Sequence, residues 1–179
     1  MLNAQQITRE LRGTDGAEIL EAALILPLVF TLLLGIIWFG RAFNIYSTIQ
    51  QAAQQGAIKA ARATCATCTP TFPAASLVAT TVSAVMLASS VDPAQIIDQG
   101  TPPTGCTTSS KITICQQVLL NPSNPAQIQS CGSPPAPSPS KICGALVTFE
   151  YPFTFNFPGT SLNMQRIIMT AQAQSRMEN

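Results

Sequence analysis

Apolar and polar positions fall into three patterns along the chain. Residues 22–39 read AALILPLVFTLLLGIIWF, with Thr31 the one hydroxyl and no charge before Arg41. At 1.5 Å rise per residue, about 18–20 such residues match a hydrocarbon layer of roughly 30 Å, so the run predicts a transmembrane helix over 17–40. Pro27 and Gly35 interrupt an otherwise helix-friendly composition and mark places where the helix is expected to kink. Trp38 and Arg41 supply an aromatic and a cationic anchor at the far end. Over 41–64 the pattern changes. Ala42, Ile45, Ile49, Ala52, Gly56, Ala60 and Ala63 recur at spacings of three and four, with glutamines, Lys59 and Arg62 on other faces. That is the signature of an amphipathic helix. Continued from the span, it predicts a stalk of about 45 residues, near 65–70 Å. Its small residues suit close packing, in the upper turns against this chain's own C-terminal part.

Beyond residue 64 the elements shorten. Residues 74–91 are uncharged, but six of eighteen are Ser or Thr, and a second crossing would separate the first two cysteines from the rest; a helix packed on the C-terminal part is expected. Asp92-Pro93 reads as a cap and first turn of a short helix over 94–98. Residues 111–120 alternate partly, as a strand does. Residues 121–142 are rich in Pro and Ser and predict an exposed loop. Val147, Phe149, Tyr151, Phe153, Phe155 and Phe157 alternate with more polar residues, the strongest strand signal in the chain. Pro152 and Pro158 demand an edge or a break there. Residues 166–177 read as a closing strand, with a helix as the alternative. The fold expected is α+β: a long N-terminal helix, then a small head with an antiparallel sheet over 65–179.

Composition narrows the chemistry. Only 9% of the 179 residues are charged, the net charge is +1, and histidine is absent. A net charge so near zero offers no footprint for nucleic acid. The commonest general base and metal ligand is missing, and no nucleophile–base pair, carboxylate pair or phosphate loop stands in its place; no catalytic residue, metal or cofactor is expected. All six cysteines, Cys65, Cys68, Cys106, Cys115, Cys131 and Cys143, follow the span. An even count on one side predicts disulfides in an oxidising compartment, with the pairing left open. Cys65 and Cys68 form a CxxC, but they end a helix instead of opening one, so a thiol oxidoreductase is a distant reading.

Acidic residues cluster before the uncharged run that begins at Ala22: Glu10, Asp15, Glu18 and Glu21. A carboxylate at the mouth of a membrane helix is costly unless it stays at the interface or meets a cation. Cleavage after Gly16 supplies such a cation, because it frees an α-amine at Ala17 and makes Glu21 the fifth residue of the mature chain. Gly13 precedes Glu18 at the same spacing and is the alternative cut. Gly16 is favoured, because a cut after Gly13 leaves Asp15 and Gly16 inside the mature helix.

Arg12-Gly13, Gly16-Ala17, the run from Glu21 to Pro27, residues 34–37, Phe39-Gly40-Arg41, Ala52-Ala53, Gly56-Ala57 and Ala60-Ala61-Arg62 together resemble the TadE-like family of pseudopilins. The resemblance is dense over 12–62 and returns at 145–155 and 167–178. Trp38 departs from an acidic residue common in the family, so no second carboxylate role is carried over. What the resemblance implies is a minor pilin of a Tad-type pilus and secretion machinery. Residues 1–16 would be a cytoplasmic leader removed by a prepilin peptidase, and Glu21 would pair with the amine of a neighbouring subunit. The implied partners are that peptidase, other pilin and pseudopilin subunits, the Tad assembly platform of the inner membrane and the lipid bilayer. The implied location is the bacterial inner membrane, N-terminus cytoplasmic and C-terminus periplasmic, or extracellular within a pilus. The competing expectation is a single-pass, membrane-anchored surface-binding protein that is neither processed nor assembled.

Overall fold

A long uncharged run of Leu, Ile, Ala and Val that cannot bury itself in so small a chain has one way to satisfy its backbone, an uninterrupted helix. In a computed structural model of the protein, described for residues 15–62, 71–120, 131, 142–154 and 166–177, helix α1 spans Asp15–Ala61 and continues through Pro27 and Gly35. The chain divides into two compact units, Met1–Ala42 and Phe43–Asn179. The second begins inside the segment expected as a stalk.

Within that second unit, α1 uses the stripe read from the sequence. Ile49, Ala52, Gly56 and Ala60 are buried, widened into a seam by Ala53, Ala57 and Ala61, while Gln51, Gln54 and Gln55 stay exposed. Helix α2, Ala75–Ala88, buries Val78, Ala79, Val82 and Met86 and turns Ser76, Thr80 and Ala84 outward. Its fourteen residues are too few to cross a bilayer. The hydroxyls of Thr80 and Thr81 both donate to the Leu77 carbonyl at 2.9 Å, which satisfies them within the helix. Gly56 is a point of close approach between the two helices. A Cβ there would stand 2.6 Å from Val82 Cγ2 and 3.5 Å from Val147 Cγ1.

Helix α2 ends in a Schellman arrangement: Ser90 N–H donates to the Leu87 carbonyl and Val91 N–H to the Met86 carbonyl, with Ser90 at φ 58°. Asp92 then caps a single 3₁₀ turn, Pro93–Gln95, by accepting from the Ala94 N–H at 2.9 Å. The short helix expected over 94–98 is thus this turn alone, because Ile97 N–H leaves to donate to the Glu150 carbonyl of the sheet.

Four strands form one antiparallel sheet in chain order: β1 Cys106–Ser109, β2 Ile112–Leu119, β3 Cys143–Phe153 and β4 Ile167–Arg176. The α+β architecture expected from the sequence is the one found. Ser109 and Ile112 are partners, so Ser110 and Lys111 alone make the first turn, and both have positive φ. One face of the sheet, with Ile112, Ile114, Val147, Phe149 and Tyr151, closes the core against the helices. The other carries a smaller cluster of Cys115, Val118 and Leu146. Cys115 and Val118 share that face despite their odd spacing because β2 bulges between them, with Gln117 at φ 55°. The bulge leaves Gln116 on the helix side, where its amide donates to the Pro73 carbonyl at 2.9 Å.

Pro152 sits where β3 has outrun β2, whose pairing ends at Thr113↔Thr148. Glu150 turns its carbonyl to Ile97, so Pro152, two residues on, points its missing N–H the same way, off the β4 side. This is the local edge that its chemistry demands. Within 166–177 the chain forms the strand Ile167–Arg176 and not the helix. Phe155, Phe157, Pro158, Gly13 and the loop 121–142 apart from Cys131 and Ile142 lie outside the described residues.

Candidate functional site on the N-terminal helix

The first unit contains only the early turns of α1 among the described residues, and from Glu18 on its residues are exposed apart from Gly35, Trp38 and Ala42, which are half-buried. Ile19, Leu24 and Phe39 are exposed at 71%, 70% and 77%. None of the most apolar eighteen-residue window is buried within the chain. Leaving a Leu or Phe in water instead of an apolar medium costs about 1.5–3 kcal/mol each, so a surface of this size calls for another apolar phase to cover it. The helix is a candidate single-pass membrane anchor.

Polar groups inside it are handled locally. Thr31 donates its hydroxyl to the carbonyls of Pro27, at 2.5 Å, and Leu28, at 3.1 Å. Pro27 itself offers no N–H to the Ala23 carbonyl, the cost usual for proline inside a helix. A Cβ on Gly35 or Gly40 would meet nothing within 4 Å. The chain's own packing therefore does not require either glycine. At the far end the Arg41 guanidinium carbon lies 5.8 Å from the centroid of the Trp38 ring, a cation–π pair in the position of an interfacial anchor.

At the near end, the backbone at Gly16 and Ala17 is helical, and Glu18 and Glu21 are exposed. Ala17 and Glu21 are four residues apart, hence one turn apart on the same face. Glu21 has no ion-pair partner among the described residues. A carboxylate is thus placed on the apolar helix one turn from the expected cut with nothing described in its own chain to neutralise it.

Residues 16–57 match the TadE-like protein family. The match opens at Gly16, takes in Glu21, the apolar run and the Trp38–Arg41 end, and closes at Ala57 inside the seam of small residues. No curated protein and no solved structure matches the chain. The sheet and α2 lie beyond the TadE-like segment. The TadE-like family is one of pilus components and not of enzymes, and no cluster of metal-binding side chains occurs among the described residues.

Of the cysteines, Cys106 is bonded to Cys115 and Cys131 to Cys143; Cys65 and Cys68 lie outside the described residues. The first bond links directly opposed residues of β1 and β2. The second ties Cys131 to the start of β3, and Cys131 N–H also donates to the carbonyl of the bulged Gln117 at 2.8 Å. Sequence reasoning missed β1, the bulge and the Gln116 amide. The cysteine spacing could have located β1, because separations of nine and twelve suit a hairpin and a short tether, but a polar Cys-Thr-Thr-Ser run shows no alternation. An open pocket of about 260 Å³ lined by Ser83, Pro93, Ala94, Ser110 and Lys111 holds one ionisable group, and Lys111 directs it to the Ala94 carbonyl at 3.3 Å.

Proposed function

We propose that this protein is a structural pseudopilin of a Tad-type pilus and secretion machinery, cut by a prepilin peptidase after Gly16 and assembled through its N-terminal helix. The observation that carries the reading is the TadE-like match beginning at Gly16, on a helix whose most apolar window has no buried residue, with Glu21 one turn further on. Cleavage would create a cation at Ala17. In the low-dielectric surroundings of packed helices that amine and Glu21 of an adjacent subunit would neutralise each other, whereas neither is stable there alone. The disulfides support an oxidising compartment for the C-terminal part, hence a cytoplasmic leader, a single crossing of the inner membrane and a periplasmic head that becomes extracellular in a pilus. The peptidase, other pilin subunits and the inner-membrane assembly platform are the partners this role requires.

The test is assembly by Glu21→Ala. The variant inserts in the membrane as the wild type does but is lost from assembled pili. Incorporation at the wild-type level would remove the pairing role and favour a membrane-anchored surface-binding protein.

A further inference from the structure

The start of β4 is apolar on both faces. Ile167 and Ile168 follow one another on the strand, so they point to opposite sides of the sheet, and both are about half exposed, at 48% and 54%. A core on one face of the sheet accounts for neither. Nearby on α1, Phe43 and Tyr46 are exposed at 71% and 46%. They lie at i and i+3 of a ridge whose next member, Gln50, donates its amide to the Thr170 carbonyl of β4 at 3.2 Å.

Two contacts set the relative direction of helix and strand. Gln50 is level with Thr170, and Gly56 with Val147, the partner of Ala173. Six helical residues rise about 9 Å and three strand residues about 10 Å, so α1 and β4 run the same way. Continuing back from Thr170, Ile168 and Ile167 stand roughly 7 and 10 Å earlier, level with Tyr46 and Phe43. The four side chains therefore share one end of the second unit, and Arg166, exposed, adjoins them.

We infer that this end of the folded unit, formed by Phe43, Tyr46, Ile167 and Ile168, is a lipid-contacting surface that rests in the interfacial layer of the bilayer. Chain continuity selects lipid as the occupant. Along α1, Phe43 and Tyr46 come only about 5 and 9 Å after residue 40, and the head-group layer beyond the hydrocarbon core is of that depth. Aromatic, aliphatic and cationic side chains together are also the composition that such a layer accepts. The inference rests on the anchor reading of α1, and the experiment separates the two.

Trp38 is the only tryptophan, so the full-length protein carries its own probe. It is reconstituted in vesicles of phosphatidylcholine and phosphatidylglycerol with brominated acyl chains, and compared with Trp38→Phe proteins carrying Ile168→Trp, Tyr46→Trp or Leu77→Trp. Leu77 is as exposed as Ile167 but lies near Pro73 and Ala60, the opposite end of the unit. An interfacial group sits about 5–10 Å into the head-group and acyl boundary, so Trp38 and the probes at 168 and 46 should lose about half their emission or more while the probe at 77 loses little. Quenching of Trp38 without quenching at 168 and 46 overturns the lipid surface and leaves the anchor standing. A blue-shifted but unquenched probe at 168 does the same and points to a protein partner. Absence of quenching at Trp38 removes the anchor and this inference with it. Tyr46→Trp keeps an aromatic in place and reads the same surface should Ile168→Trp disturb β4.

Discussion

Ser90 holds φ 58° at the position where a helix most often ends in glycine, because both hydrogen bonds of the Schellman arrangement require a left-handed residue there. For a serine that conformation costs about 1 kcal/mol. Ser90→Gly should therefore raise stability by about 1 kcal/mol, seen as a rise of about 2–4 °C in thermal unfolding; an unchanged midpoint would mean the cap is not formed. Gly56 shows the reverse constraint. Its Cβ would stand 2.6 Å from Val82 Cγ2, so Gly56→Ala should cost about 1–3 kcal/mol in overpacking, less up to about 1 kcal/mol regained in helix propensity. Combined with Val82→Ala the two losses should be clearly less than additive in denaturant unfolding. Gly56 was legible as a member of the stripe, but its special need was not: that depends on Val82, twenty-six residues on in the chain.

Elements whose pattern is set by one buried face could be read directly. The alternation through Val147, Phe149 and Tyr151 is the core face of β3, and the spacing of Ile49, Ala52, Gly56 and Ala60 is the seam of α1. Elements held by other means were not legible. Strand β1 has no buried face of its own and is fixed by the Ser110-Lys111 turn and the bond from Cys106 to Cys115. By loop-closure entropy that bond contributes about 2–3 kcal/mol. Cys106→Ala combined with Cys115→Ala should lower unfolding stability by that amount while β2, β3 and β4 keep their pairing, which amide hydrogen exchange can follow strand by strand. Loss of protection throughout the sheet would show instead that β1 is integral to it. The bulge at Gln117 escaped notice for a similar reason: its partners, the Cys131 backbone and the Pro73 carbonyl reached by Gln116, are distant in sequence.

For the whole molecule, the scarcity of charge separates into two causes. Residues 22–40 of α1 hold no charge, as a candidate membrane span requires, and the exposed positions of the folded unit are mostly uncharged, among them Gln51, Gln54, Gln55, Ser76 and Thr80. The TadE-like match accounts for the first and for the seam up to Ala57, and the rest of the fold follows from the sheet and its disulfides. The candidate site was legible because its signal is local, one carboxylate and one glycine at fixed spacing from an apolar run. What the sequence could not convey is that Glu21 lacks a partner among the described residues, which is why a second chain is invoked for it. The central claim is the cut that would create that partner. Intact-mass and N-terminal sequence measurement of the membrane-inserted protein, made with and without an active cognate prepilin peptidase, should find a mature chain beginning at Ala17 only when the peptidase is present; a chain that keeps residues 1–16 beside the active enzyme would contradict it.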